Sequence, residues 1–81
     1  MLENIKAEKI YMTCIKNNIS SGSKVFYIYL LYCIDSSDLF IFDEKYLCDL
    51  FKCSLKTLYN WINELMTFRM IKYEKKLIYV Y

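Results

Sequence analysis

Two helical patterns lie almost end to end in the second half of this 81-residue chain, and they restrict its fold more than any other feature. The first follows Asp43, a residue type that favours the N-cap, and its apolar residues recur on one face over about eight residues. The second follows Ser54, another N-cap type, and its apolar residues recur at spacings of four and three. Only Lys52 and Cys53 separate the first pattern from Ser54. We therefore predict two short helices joined by a tight turn.

The second of these helices, predicted over residues 54–68, has two different faces. Its inner face is apolar and consists of Leu58, Ile62 and Leu65, with Trp61 beside them. Its outer face carries Lys56, Tyr59, Asn60 and Asn63. After this helix the period changes to that of strands, over residues 70–74 and 77–81, which join through Glu74, Lys75 and Lys76. The chain is therefore expected to end in a β-hairpin.

The first half of the chain predicts two more helices and a short strand. Residues 2–18 have apolar residues at near-helical spacing, and residues 17–23 are turn formers that include the only glycine. Ser23 is the expected cap of a second helix over residues 24–34, which is apolar on nearly every face and therefore central. Residues 39–42, of strand-forming type, predict a short strand. With no proline and one glycine, no linker divides the chain, so we expect one domain over residues 1–81.

Composition and charge narrow the class of protein further. The longest apolar run covers ten residues, 25–34, whereas a bilayer span needs roughly 20. With no recognisable signal peptide either, we expect a cytoplasmic protein that does not enter a membrane. The net charge of +2 is unevenly distributed: residues 1–51 hold five basic and seven acidic side chains, and residues 52–81 hold six basic and two acidic ones. The last third is therefore the cationic part of the chain.

The cysteines and the lack of histidine argue against a metal site or an active site. The four cysteines, at positions 14, 33, 48 and 53, form no closely spaced pair, and the chain contains no histidine. Zinc modules normally use such pairs, so we expect no metal or other cofactor and four free cysteines buried as small apolar side chains. Without histidine or a glycine-rich phosphate loop, no general base near neutral pH is available, and we expect no enzymatic activity.

The segment "FDEKYLCDLFKCSLKTLYNWINELMTFRMIKY", residues 42–73, resembles the winged helix-turn-helix DNA-binding families. The positions that match are Leu47, Cys48 (where alanine is usual), Leu50, Ser54, Thr57, Leu58, Ile62, Leu65 and Ile71. Upstream, "ISSGSKVFYIYLL" is similar to the helix that precedes this motif in replication-initiator and related proteins of plasmids and phages in low-GC bacteria. The resemblance implies an α+β fold of three or four helices, a short strand and a C-terminal β-hairpin wing. Its helix-turn-helix would cover residues 43–68 and its wing residues 70–81.

The resemblance also implies which residues contact double-stranded DNA. In the helix these are Ser54, Lys56, Thr57, Tyr59, Asn60 and Asn63, with Lys52 as a phosphate contact in the turn. In the wing they are Lys72, Lys75 and Lys76. In these families glycine often stands at the positions of Lys52 and Arg69, so we expect left-handed backbone at both.

Two functions remain open at this level. The first is a sequence-specific DNA-binding protein of a plasmid or phage, which marks a replication origin, a transfer origin or a promoter. The second is a winged-helix protein-interaction module of a replisome or relaxosome, which uses a tyrosine-rich surface and has little DNA affinity. A homodimer through residues 1–18 is expected in the first case, with packing of that helix inside the monomer as the alternative. The nine tyrosines predict core or interface packing more than a stacking platform for single strands.

Overall fold

The structure, a computed structural model, describes residues 2–16, 18–34 and 39–81, with side chains from residue 8 onward. These residues form an α+β protein with four helices and one three-stranded antiparallel sheet. The helices are α1 (Leu2–Cys14), α2 (Ser21–Cys33), α3 (Glu44–Phe51) and α4 (Leu55–Thr67), and the strands are β1 (Leu39–Ile41), β2 (Ile71–Glu74) and β3 (Leu77–Val80). The predicted class and element order are confirmed, and the layout is compatible with a winged helix.

The sheet joins the hairpin to a strand from the middle of the chain. Its strand order is β1-β3-β2, so β3 pairs with β2 on one side and with β1 on the other. Beyond β1, the Phe42 N–H donates to the Lys76 carbonyl at 2.8 Å. Alternate side chains of β2 and β3, such as Ile71 and Ile78, are buried against the helices. The sheet therefore fixes the hairpin to the start of α3.

Local capping explains why α3 and α4 begin where the sequence predicts. The Asp43 carboxylate accepts a hydrogen bond from the Tyr46 N–H at 3.1 Å, and the Ser54 hydroxyl accepts one from the Thr57 N–H at 3.1 Å. Each cap satisfies an N–H that has no acceptor inside its own helix. Behind the caps, Leu47 of α3 is completely buried. Both predicted N-caps are confirmed.

Helix α2 begins three residues earlier than predicted, because Ser20 is its N-cap and Ser23 lies inside its first turn. The cause is a tertiary contact between α2 and α4. The only glycine, Gly22, lies against the indole of Trp61 on α4, and a Cβ at this position would lie 2.4 Å from Trp61 Nε1. Glycine therefore serves here to let two helices approach closely, and it does not mark a turn as predicted.

A carboxylate holds the start of α2 against α4. Glu64 of α4 accepts hydrogen bonds from the Ser20 N–H at 3.2 Å, from the Ser20 hydroxyl at 2.8 Å and from the buried Ser23 hydroxyl. The bond from Ser23, followed by those from Ser20, lowers the pKa of Glu64 below its ordinary value. The carboxylate is thus held in its charged form, and it supplements the cap of α2.

Helix α1 packs against α2 and ends at Cys14, four residues before the predicted end. The chain turns there because Ile19 is buried in the core and Ser20 caps the next helix. The expectation of four buried cysteines is wrong, because none of them is fully buried. Cys14 and Cys33, each the last residue of a helix, are exposed, and Cys48 and Cys53 are half-buried; all four are free.

Candidate nucleic-acid interface

The outer surface of α4 carries a polar stripe, which we define as Lys56, Asn60 and Asn63. All three side chains are exposed, whereas Leu58 and Ile62 on the opposite side are completely buried. With a helical rise of about 1.5 Å per residue, the stripe is about 10 Å long. Within the described part of the chain, its two amides and its ammonium group form no hydrogen bond or ion pair. The polar stripe is therefore available to an external partner.

The first turn of α4 places further polar groups at one end of the polar stripe. The Ser54 hydroxyl also donates to the Thr57 hydroxyl at 3.0 Å, so these two predicted contact residues are held together. The first backbone N–H groups of a helix have no intrahelical acceptor, and the helix dipole makes this end positive. Leu55, which the sequence analysis did not single out, is 46% exposed in the same turn. The turn therefore offers donors for an anion beside a small apolar surface.

Lys52 lies in the turn between α3 and α4 with left-handed backbone, at φ 54°. Arg69, between α4 and β2, is also left-handed, at φ 58°. Both expectations from the resemblance are therefore confirmed. A residue with a Cβ costs about 1 kcal/mol more than glycine in this conformation. The Lys52 side chain is exposed, one residue before the Cys53–Ser54 entry to α4.

Tyr59 differs from the rest of the outer face, because it is half-buried where an outward position was predicted. Its ring packs near the rings of Phe42 and Tyr73, with centroids 5.8 Å and 6.1 Å away. Its hydroxyl donates to Glu44 at 3.2 Å and lies 3.4 Å from the Tyr73 hydroxyl. The hydrogen bond with Tyr73, then burial and the bond with Glu44, raises the pKa of Tyr59. The residue connects α4 to α3 and to the hairpin.

The hairpin turns through Lys75 and Lys76 alone. Both have left-handed backbone, at φ 51° and 64°, and both side chains are exposed. Two consecutive left-handed residues characterise the hairpin turn that normally contains asparagine and glycine. Lysines at these positions place two positive charges at the tip of the hairpin, although left-handed backbone favours asparagine and glycine.

Lys72 has closer neighbours than the two lysines of the tip. It lies opposite Tyr79 on β3, with its Nζ 5.9 Å from the centre of that ring and 4.0 Å from a Glu74 carboxylate oxygen. All of these groups are on the exposed face of the sheet. The Glu74 carboxylate reduces the positive potential around Lys72, so the tip is the more cationic part of the hairpin.

The fold brings one more lysine, Lys45, close to the hairpin tip. Lys45, in the first turn of α3, and Lys76 line one hollow of about 450 Å³, whose other lining residues are Ile41, Phe42, Asp43 and Glu44. Lys45 was not among the predicted contact residues, because about 30 residues separate it from the hairpin. The only sequence signal for this proximity is the strand pattern of residues 39–42, and that pattern does not reveal the partner strand. The pairing of β1 with β3 brings the two lysines together.

Comparisons with protein-family models, with curated proteins and with solved structures found no match to this chain. Among the described residues, no cluster of acidic and cysteine side chains has the arrangement of a metal site. None of the helices in residues 2–16, 18–34 and 39–81 is long and apolar enough to span a bilayer.

Proposed function

We propose that this protein is a winged helix-turn-helix protein that binds a specific site in double-stranded DNA. Helix α4 would enter the major groove, and the hairpin would lie along the backbone or in the adjacent minor groove. The observation that carries the proposal is the polar stripe: Lys56, Asn60 and Asn63 are exposed and unpaired within the described residues, on a helix whose other side is completely buried.

The architecture supports this assignment. The order of helix, strand, two helices and hairpin, with β1 paired to the last strand, places α3 and α4 next to a three-stranded sheet. The bonds of Tyr59 to Glu44 and Tyr73 hold the hairpin in a fixed position relative to α4. Fixed relative positions matter because two elements must meet two grooves of one duplex at the same time.

The proposed roles follow the chemistry of each side chain. Asn60 and Asn63 would each pair with an adenine edge, worth about 1–3 kcal/mol of discrimination per contact. Lys56 would bind a phosphate or a guanine, and Leu55 would contact a thymine methyl group. The remaining contacts would be to phosphates, from Lys52, Ser54 and Thr57. Tyr59, with its hydroxyl engaged inside the protein, would touch DNA through its exposed edge and would mainly position the wing.

Most of the affinity would come from the lysines, because α4 itself carries little charge. Lys75 and Lys76 would neutralise phosphates at the hairpin tip, with Lys72 and Lys45 as further contacts. Three to five neutralised phosphates predict a log–log salt slope of roughly −3 to −4.5 per protomer. A single module of this size binds modestly, so we propose that two copies bind a repeated or palindromic site.

Helix α1 is the proposed dimer surface. One side of α1 packs within the monomer, where Ile10 reaches the core and Thr13 is buried. On the other side, Tyr11 and Met12 are at least 48% exposed, as is Ile15 immediately after the end of α1. Packing of α1 within the monomer is observed, and the exposed side of the same helix is the surface that we propose for the dimer. The proposed setting is a cytoplasmic protein of a plasmid or phage that marks a replication origin, a transfer origin or a promoter.

Selection from random duplexes, together with duplexes from the protein's own locus, tests the proposal. We expect enrichment of a defined motif and affinity that decreases with salt as stated above. Asn60→Ala and Asn63→Ala should relax the sequence preference, and Lys75→Gln and Lys76→Gln should weaken all duplexes equally. Asn18→Ala and Lys24→Gln, outside the proposed interface, are the matched controls. Binding without enrichment and without salt dependence would refute the proposal.

A second function, binding of a replication or transfer protein, is favoured by α2. An apolar stripe on this helix, which we define as Val25, Ile28 and Tyr32, remains partly or largely exposed, with Tyr32 at 86%. Apolar exposed stripes of this kind mark protein interfaces. Tyr32→Ser should abolish such an interaction and leave DNA binding unchanged, which a pull-down with the candidate partner and a duplex titration measure side by side.

A further inference from the structure

A cleft of about 440 Å³ lies between α1 and the turn that connects α4 to β2. It is separate from the proposed DNA interface, because its lining includes the end of β3 near Tyr81 and not the hairpin tip. Its apolar lining comes from Met12, Tyr27, Phe68 and Met70. Sites for small organic molecules typically measure about 300–1,000 Å³ and have a mainly apolar lining with a few polar groups. The cleft has the size and the lining of such a site.

The charges around the cleft are mostly positive. Lys9, Lys16 and Arg69 line it, and Glu8 is its one acidic lining residue among those described. The Lys9 ammonium group donates to the Tyr81 carbonyl, and none of the four charged groups forms an ion pair within the described residues. Three cations beside an apolar surface, with one carboxylate to offset them, favour an anionic ligand over a neutral or cationic one.

Tyr27 gives the cleft a polar group that has no partner. Its side chain is 96% buried, and its hydroxyl forms no hydrogen bond within the described chain. All fully buried polar side-chain atoms among these residues have partners, so the Tyr27 hydroxyl is not fully buried. The cleft is the opening that this side chain lines. The Tyr27 hydroxyl, unpaired within the described residues, is therefore a polar group of the cleft lining that a ligand can hydrogen-bond.

Arg69 lines the cleft, although its backbone conformation is unfavourable for a residue with a Cβ. Its backbone is left-handed, at φ 58°, where glycine would be free of steric conflict. The arginine therefore adds a charge to the cleft at the expense of local backbone preference.

We propose that the cleft binds a small organic anion, with its charged group among Lys9, Lys16 and Arg69 and its apolar body on Met12, Phe68 and Met70. The Tyr27 hydroxyl would hydrogen-bond the ligand. None of these residues belongs to the proposed DNA interface, and only Met12 is shared with the proposed dimer surface of α1.

A pair of dyes tests the charge requirement directly. Anilinonaphthalene sulfonate is an aromatic anion, and phenylnaphthylamine has the same rings without the sulfonate. Fluorescence titration should show one site for the anion and at least about fivefold weaker binding of the neutral dye. Equal affinities for the two dyes would contradict the proposal, as would saturation at several equivalents of the anion.

Variants locate the dye in the cleft. The double substitution Lys16→Gln/Arg69→Gln should weaken the anionic dye about fivefold and leave the neutral dye unchanged. Tyr27→Phe should weaken the anionic dye about threefold through loss of one hydrogen bond. Lys24→Gln, a lysine outside the cleft, should change neither dye. Circular dichroism confirms that each variant is folded.

Amide NMR of the wild-type protein provides a readout that does not depend on variants. The anionic dye should shift residues 8–16 and 68–70; shifts confined to the apolar stripe of α2 would overturn the proposal. Octanoate and adenosine monophosphate then serve as competitors with an aliphatic and an aromatic body. Displacement by either one supports the site and identifies the body it prefers. Displacement by neither at millimolar concentration, or displacement by a DNA duplex, would refute it.

Discussion

Helices α2 and α4 have the same length, 13 residues, and pack against each other, yet their exposed faces are opposite in chemistry. The polar stripe of α4 consists of one lysine and two asparagines, whereas the apolar stripe of α2 consists of Val25, Ile28 and Tyr32. A groove of DNA presents hydrogen-bond donors and acceptors, and a protein surface offers apolar area as well. Under our proposal, the two outer faces would therefore bind two kinds of partner.

The inner faces, in contrast, perform the same task. Leu30 of α2 and Leu58 of α4 are both completely buried. The two helices contact each other where Gly22 lies against Trp61 and where Glu64 accepts hydrogen bonds from Ser20 and Ser23. The contrast between inner and outer faces gives four predictions.

The largest expected effect is on stability, and it should distinguish inner from outer residues on both helices. Leu58→Ala and Leu30→Ala should each reduce the free energy of unfolding by about 2–5 kcal/mol, because they leave cavities in the core. Asn60→Ala and Tyr32→Ser, on the outer faces, should change it by less than about 0.5 kcal/mol. Urea denaturation measures all four. If Asn60→Ala reduced the free energy of unfolding as much as Leu58→Ala does, Asn60 would stabilise the fold and would not be a free contact residue.

The second effect tests the closest contact between the two helices. Gly22→Ala should destabilise the protein by about 1–3 kcal/mol, because the new methyl group meets the Trp61 indole. Alanine normally stabilises a helix relative to glycine, so the sign is diagnostic. Ser21→Ala, one residue earlier and exposed, is the control and should have little effect. Trp61→Leu in the Gly22→Ala background should recover part of the loss, as a double-mutant cycle would show.

The third effect concerns the carboxylate at the same contact. The hydrogen bonds lower the pKa of Glu64 in the folded protein, so its stabilisation is present above the unfolded pKa of about 4.3 and is lost as pH falls through the folded pKa. Glu64→Gln should therefore lose about 1 kcal/mol at neutral pH and show a weaker dependence on acid. Glu74→Gln, on the exposed face of the hairpin, is the control. Unfolding curves from neutral pH to about pH 3 test this sign.

The smallest effect extends the comparison to the hairpin tip. Lys76→Gly should stabilise the protein by about 0.5–1 kcal/mol, because glycine accepts left-handed backbone, and it should reduce the salt slope of duplex binding by about 0.9. Lys72→Gly, at an ordinary strand position, should destabilise the fold instead. Calorimetry and duplex titration give the two readouts. If Lys76→Gly binds all duplexes as tightly as the wild type, the tip is not a phosphate contact.

Local signals predicted much of the fold, and long-range contacts account for the errors. Helix α3 and its Asp43 cap, and α4 and its Ser54 cap, are specified by residues within one turn, and the structure has them as predicted. The start of α2 was misplaced because Ser20 and Ser23 are both capping residues, and the group that engages them, Glu64, lies more than 40 residues away.

The same distinction applies to the candidate site. Helical spacing alone put Lys56, Asn60 and Asn63 on the outer face. It also placed Tyr59 there. This was wrong because helical spacing does not reveal that the Tyr59 ring packs near the rings of Phe42 and Tyr73. Lys45 was missed because the pairing of β1 with β3 brings it to the hairpin tip.

The most direct measurement follows the amide NMR signals of the protein while the duplex enriched by selection is added. The side-chain amide signals of Asn60 and Asn63 report on the polar stripe without any substitution. DNA binding through α4 predicts that these signals shift together with the backbone signals of Lys75 and Lys76, and that those of Val25 and Tyr32 stay unchanged. Shifts concentrated on α2, with the two asparagine side chains unaffected, would contradict the proposed interface.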